Sequence, residues 1–246
     1  MARRAEALRE RLAEAGVIRV AVAGNTGWTG SAIVEAIQDA GDLELVAGIS
    51  RSGEYPTVAD ALDAVETDVL VDYTHADAVK ANVHAALERG VSVVIGSSGL
   101  SAEDYGEIDA LARANDAGVI ASGNFSLSAA FVLRFAAEAA QHFDMWEIVD
   151  YAKHTKTDAP SGTARELAER LAAVRNREVE WDRVHSVRLP GFVVSTEVIF
   201  ASAGERLTLR HDPGTTPAPY VDGTLLAIRA LPGRFGLTRG LDTLLA

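Results

Sequence analysis

The sequence predicts an α/β fold in which a doubly wound parallel sheet is followed by a smaller α+β unit. Three observations point there. Short β-branched runs alternate with helical stretches over the first 125 residues, and a glycine-rich turn follows the first of those runs. After Asn124 the pattern changes to runs that alternate like the strands of an antiparallel sheet.

The elements follow in chain order. Residues 17–24 (VIRVAVAG) are apolar and β-branched, and read as a first strand. Residues 29–40 carry apolar groups at helical spacing and stop at Gly41. Residues 43–50 form a second strand, and 68–74 and 91–96 are further buried strands separated by a helix over 76–89. A helix over 101–117 and a strand over 119–122 complete this half. Beyond it, 126–143 reads as a long helix with Ser126 at its N-cap, 146–152 as a strand and 163–174 as a helix. Residues 186–189, 193–201 and 205–212 alternate as antiparallel strands do, with Ala203-Gly204 as a hairpin turn, and 221–231 is helical.

The expected organisation is therefore a dinucleotide-binding domain over 1–125, a substrate-binding and oligomerisation domain over 126–216, and a helical return to the first domain over 217–246. Residues 1–15 are rich in Arg and Glu and read as an amphipathic helix without the apolar core of a signal peptide.

Composition narrows the function classes. The 246 residues are 48% hydrophobic and 24% charged, the balance of a globular protein in water. No apolar run approaches the roughly 18 residues of a membrane span, so no membrane partner is expected and the expected location is the cytoplasm. A net charge of −12 repels a nucleic-acid backbone. The absence of cysteine excludes a disulfide scaffold, thiol catalysis and thiolate ligands, and no metal site is expected. Of 23 basic residues only three are lysines, and two of them, Lys153 and Lys156, share one short segment.

Directly after the first strand stands Gly24-Asn25-Thr26-Gly27-Trp28-Thr29-Gly30, a G-x-x-G-x-x-G turn that opens a helix. A pyrophosphate needs backbone N–H groups at close range and the positive end of a helix dipole, and glycine permits both. The second strand ends at Ser50-Arg51-Ser52-Gly53, where an NAD site usually carries an acid and an NADP site an Arg with small polar groups. Arg51 can pair with a 2′-phosphate in fork geometry, so NADPH is favoured, with NADH possible. Tyr73-Thr74 and Gly96-Ser97-Ser98-Gly99 end two later strands, the edge at which open α/β sheets bind ligands.

Residues 150–163 read D-Y-A-K-H-T-K-T-D-A-P-S-G-T. Lys153, His154 and Lys156 stand close together, and Ser161-Gly162-Thr163 opens a helix whose free N–H groups and hydroxyls make an anion site. Such a pairing suits a carboxylate-bearing substrate, with a lysine placed to protonate it or to stabilise developing charge.

The chain resembles the 4-hydroxy-tetrahydrodipicolinate reductase family, the NAD(P)H-dependent reductases of bacterial lysine biosynthesis. The resemblance rests on the glycine turn, on Gly96–Gly99, on Asn124-Phe125-Ser126, on Gly204-Glu205-Arg206-Leu207 followed by His211, and above all on K-x-D-A-P-S-G-T over 156–163. It implies a Rossmann-type domain with a substrate domain whose mixed sheet builds a tetramer. It also implies that Gly24, Gly27 and Gly30 hold the pyrophosphate, Arg51 the adenosine phosphate, and that Gly96, Ser98, Gly123, Asn124 and Phe125 surround the nicotinamide. Lys156 takes the place of the family's catalytic lysine, and Ser161, Gly162 and Thr163 that of its carboxylate site.

Two departures are legible. The family's His pair, one a proposed acid and the other a substrate ligand, falls on Ala152 and Lys153, and the segment 215–223 lacks the family's Arg. The residues thus leave three readings: reduction of the family's cyclic imine dicarboxylate, a paralogue reducing another imine or carbonyl compound, or a non-catalytic NADPH-binding protein.

Overall fold

A computed structural model describes residues 16–245, so the helix expected over 1–15 lies outside the described residues. The strands β1 (Ile18–Ala23), β2 (Leu43–Ile49), β3 (Val69–Asp72), β4 (Ser92–Ile95), β5 (Gly118–Ala121) and β10 (Gly236–Arg239) form one sheet, all parallel, in the order β10-β5-β4-β3-β1-β2. The winding direction reverses between β1 and β3, and at such a point the carboxyl ends of the strands open a crevice.

The pleat divides the core. Val20 and Val22 of β1 face a layer containing α1 (Trp28–Asp39) and α7 (Ala218–Ala230), whereas Ala21 and Ala23 face α2 (Val58–Ala64), α3 (Ala76–Leu87) and α4 (Ala102–Ala114). Every residue of β3, β4 and β5 is buried, as a sheet covered on both faces requires.

A second sheet of four strands runs β7 (Val184–Arg188), β6 (Met145–Ala152), β8 (Val194–Ala201), β9 (Arg206–His211). Leu133 and Ala136 of α5 (Leu127–Ala139) and Leu167 and Leu171 of α6 (Gly162–Val174) pack on Trp146, Ile148, Val198 and Phe200. Alternate residues of β6, Glu147, Val149 and Tyr151, point the other way and are only half-buried.

The structure corrects several expectations. β7 runs parallel to β6, not antiparallel, because the intervening chain includes α6 as a crossover. β8 and β9 are antiparallel as expected, closed by Ser202 N–H donating to Glu205 O. Helix α2 was not foreseen: it has seven residues, too few for a periodicity, although the Thr57 side chain caps it by accepting from Asp60 N–H. Strand β10 replaces part of the expected helical return and adds to β5, its four residues opening on Gly236 and followed by Gly240, both at positive φ. Helix α7 starts at Ala218, three residues early, behind Pro217. Ser126 does sit at the N-cap of α5, but its hydroxyl meets Ser128 Oγ instead of a backbone N–H.

Candidate active site

The turn after β1 is built for close approach. Gly24 adopts φ +82°, and a methyl group on Gly30 would collide with the Gly24 carbonyl, so both positions need glycine. Gly27 is the N-cap of α1, no side chain caps that helix, and its first turn holds no acid. The positive end of the helix dipole is therefore open to an anion. Beside it the Ser50–Gly53 turn closes through Gly53 N–H to Ser50 O at 2.9 Å and leaves Arg51 and Ser52 exposed at the edge of the sheet.

The ends of β3 and β4 are organised by Asp72, which is fully buried. Its carboxylate accepts from Thr74 Oγ1 at 2.7 Å, from Ser97 Oγ at 2.5 Å and from Asn82 Nδ2 at 2.8 Å. Thr74 is thereby used inside the fold and does not line the cleft. Tyr73 donates or accepts at Thr224 Oγ1 across 2.7 Å and meets Phe125 edge-on, and burial pushes its phenol well above the usual range.

The opposite wall comes from the second sheet. Asp150, fully buried at the end of β6, accepts from Ser161 N–H at 2.8 Å. Arg188 on β7 donates to the Asp150 carboxylate at 2.8 Å and to the Asp158 carbonyl at 2.8 Å. This pair folds 153–161 over the end of the sheet. Lys156 N–H donates to Lys153 O, and the turn so made points Lys156 to the cleft with its ammonium on Asp158 Oδ1 at 2.7 Å. At the start of α6 the Ser161 hydroxyl accepts from Ala164 N–H at 3.3 Å and keeps its own proton to donate. Thr163 Oγ1 donates to Gly123 O and accepts from Asn124 Nδ2, so this helix start is sewn to the turn after β5.

Between the walls lies a cleft of about 450 Å³. Of the residues expected in the site it brings together Trp28, Thr29, Tyr73, Gly96, Ser98, Gly123, Asn124, Phe125, Lys156, Ser161, Gly162 and Thr163. Gly24, Thr26, Gly27 and Gly30 belong to the adjoining turn, and Ser50, Arg51 and Ser52 to the sheet edge. Lys153 and His154, expected as catalytic, are exposed outside the cleft, because the 153–156 turn carries them to the solvent side. The sequence reading missed Tyr105, Arg165, Glu169, Tyr220 and Arg239, which also line it. Arg239 stacks on the Tyr105 ring at 4.2 Å and pairs with Glu169 at 3.0 Å. No periodicity or motif signals these residues.

Family models described as "Dihydrodipicolinate reductase, N-terminus" and "Dihydrodipicolinate reductase, C-terminus" match residues 18–125 and 128–244. The 4-hydroxy-tetrahydrodipicolinate reductase of Nocardia farcinica is 37% identical over 249 residues, covering 93% of this chain and 98% of its own. The chain belongs to the dihydrodipicolinate reductase family. That of Moorella thermoacetica is 36% identical, with 93% and 98% covered. Among solved structures, the dipicolinate-bound dihydrodipicolinate reductase from Paenisporosarcina sp. TG-14 superposes with a TM-score of 0.75 at 28% identity, covering 92% of this chain and 99% of that one. GenD2 from gentamicin A biosynthesis, in complex with NAD, shares the fold, with a TM-score of 0.67 at 14% identity over 93% and 90% of the two chains.

The protein is thus a reductase of the dihydrodipicolinate reductase type that uses a pyridine nucleotide, and the uncapped α1, the glycine cradle and the cleft fit such a cofactor. Among the described residues no helix is long and apolar enough to cross a membrane. Ala152, which the resemblance sets against a His of the family, is fully buried at the end of β6.

Proposed function

We propose that the protein is an NADPH-dependent reductase of a cyclic imine dicarboxylate, 4-hydroxy-tetrahydrodipicolinate. The observation that carries this reading is the juxtaposition across one cleft of Lys156 and the Ser161–Thr163 helix start with the Gly123–Phe125 turn. The α1 start and Gly24, Gly27 and Gly30 hold the pyrophosphate, Arg51 with Ser50 and Ser52 holds the adenosine 2′-phosphate, and Gly96, Ser98 and the 123–125 turn border the nicotinamide. When bound, the nucleotide supplies the hydride.

The chain's own groups do the rest. The backbone N–H groups of Gly162 and Thr163 and the Ser161 hydroxyl bind one substrate carboxylate at the positive end of the α6 dipole. Lys156 protonates the imine nitrogen as its carbon is reduced, and Asp158 keeps the ammonium aimed. Tyr73 and Phe125 form an apolar floor that excludes water from the reacting atoms.

The buried Ala152 favours a second reading, a paralogue that reduces another imine or carbonyl compound, since a side chain able to act as acid is missing there. Oxidation of NADPH, followed by its near-ultraviolet absorbance with freshly generated 4-hydroxy-tetrahydrodipicolinate, separates the two. Turnover at about 1 s⁻¹ or faster supports the dicarboxylate; no turnover by a protein shown to bind NADPH assigns it to the paralogue.

The half-buried outer positions of β6, Val149 and Tyr151, support a homotetramer built through the second sheet. Light scattering that gives a monomer would remove that assignment.

A further inference from the structure

The reading above leaves the buried carboxyl of Glu166 unused. Glu166 lies on α6 one turn past Gly162 and is 8% exposed. Its Oε2 accepts from Gly123 N–H at 2.7 Å and from Ser122 Oγ at 3.3 Å, while Oε1 is buried without a partner among the described residues. Two more buried atoms without a partner among the described residues, Thr196 Oγ1 on β8 and His211 Nε2 on β9, belong to side chains lining the same small cavity as Glu166. The cavity measures about 20 Å³, and Leu133 and Leu167 supply apolar wall. One water needs a void of roughly 10–15 Å³ and two to four polar partners. A buried polar atom left without a partner is costly, and three side chains carrying such atoms line one void large enough for a water.

We propose that a single ordered water binds Glu166 Oε1, Thr196 Oγ1 and His211 Nε2, and that Glu166 is a positioning residue which ties the Ser122–Asn124 turn to the second sheet through it. The link continues on the far side, where His211 Nδ1 meets Ser128 Oγ at 2.9 Å and Ser128 Oγ meets Ser126 Oγ at 3.0 Å. The chain from 122 to 128 is thus held at both ends, and the Gly123–Phe125 turn between them keeps a fixed distance from the α6 start. Arg239, Asp242 with its partner Arg170, and His211 are the charged and titratable groups around Glu166, and none of them bonds to its carboxyl directly. The positioning role rests on the reading that this turn borders the nicotinamide; the water site does not.

A high-resolution crystal structure of the full chain is expected to show one water within hydrogen-bond distance of all three atoms, and a dry or collapsed cavity overturns the site. Fluorescence titration with NADPH then compares wild type, Glu166→Leu and Glu166→Gln, each below its melting temperature. Leu leaves Gly123 N–H without its acceptor, and the dissociation constant is expected to rise about tenfold. Gln keeps an acceptor of the same shape and is expected to restore affinity to within about twofold. Equal affinity of wild type and the Leu variant overturns the positioning role. A wild type that does not bind NADPH overturns that role together with the cofactor reading, and the water site is then decided by the crystal structure alone.

Discussion

Replacing Arg188 by Met removes the guanidinium beneath the lysine segment and keeps a side chain of similar reach. Four hydrogen bonds go, to Asp150 Oδ2 at 2.8 Å, Asp150 O at 3.0 Å, Val187 O at 3.1 Å and Asp158 O at 2.8 Å. Asp150, with no exposed surface, keeps only Ser161 N–H at 2.8 Å and Ser186 Oγ at 3.4 Å. Breaking a buried pair by removing one partner costs about 3–5 kcal/mol, chiefly because the other charge is stranded. In a chain of this size 1 kcal/mol moves the melting temperature by about 2–4 °C, so a fall of roughly 6–20 °C is expected by scanning calorimetry. The double variant Asp150→Leu, Arg188→Met strands no charge and should recover most of that loss. The same single variant frees the Asp158 carbonyl and should weaken binding of pyridine-2,6-dicarboxylate. A melting temperature within about 2 °C of wild type, or a double variant as unstable as the sum of the two single ones, would refute the account of how this segment is held.

The remaining expectations concern chemistry and pH. Lys156→Ala should lower kcat by about 10²–10⁴-fold in the NADPH oxidation assay, while NADPH affinity changes little. Arg51→Ala should weaken NADPH by about tenfold or more and leave NADH unchanged, as competitive titration can show; equal losses would remove the phosphate assignment. Burial holds the His211 imidazole below its ordinary range, so the unfolded chain takes up that proton first. The stability His211 contributes is therefore complete above about pH 6.5 and lost on further acidification, and the melting temperature of His211→Asn should fall less than that of wild type between about pH 7.5 and 5.5. Glu166 runs the other way, since burial raises its carboxyl. Its contribution is complete below the ordinary glutamate range and lost as pH rises through the raised value, so Glu166→Gln should gain stability over wild type at about pH 8 and not at about pH 4.

Most of the first sheet was legible because strands buried on both faces must be short, apolar and largely β-branched, as 69–71 and 93–95 are. The glycine turn was legible because Gly24 and Gly30 answer a steric demand that no other residue meets. The direction of β7 was not, since a five-residue strand carries no record of its partner; the crossover through α6 decides it. Pairings distant in sequence were equally hidden. Arg188 and Asp150 stand 38 positions apart, and nothing local marks either as the support of Lys156. Lys153 and Lys156 look alike as letters, and one backbone hydrogen bond, from Lys156 N–H to Lys153 O, sends them to opposite sides.

The segment 215–223 carries no Arg where the resemblance expects one, which raises the question of what meets a second carboxylate. Arg239 lines the cleft but is committed to Glu169 and to the Tyr105 ring. Arg165, on the first turn of α6, donates through Nε to Pro160 O at 3.0 Å, and its two terminal nitrogens make no hydrogen bond or ion pair among the described residues. It lines the same cleft as Ser161–Thr163, so a dicarboxylate anchored at the helix start has a free guanidinium within its own wall. A charge-assisted contact at such a half-open site is worth about 1.5–3 kcal/mol, or roughly 10- to 100-fold in affinity. Arg165→Leu should therefore weaken pyridine-2,6-dicarboxylate by that factor and leave pyridine-2-carboxylate within about twofold of wild type, measured by calorimetric titration of the NADPH complex. Equal losses for the two ligands would mean that Arg165 shapes the helix start instead of binding the second carboxylate. A loss for neither would leave that carboxylate facing solvent, which favours a substrate carrying only one.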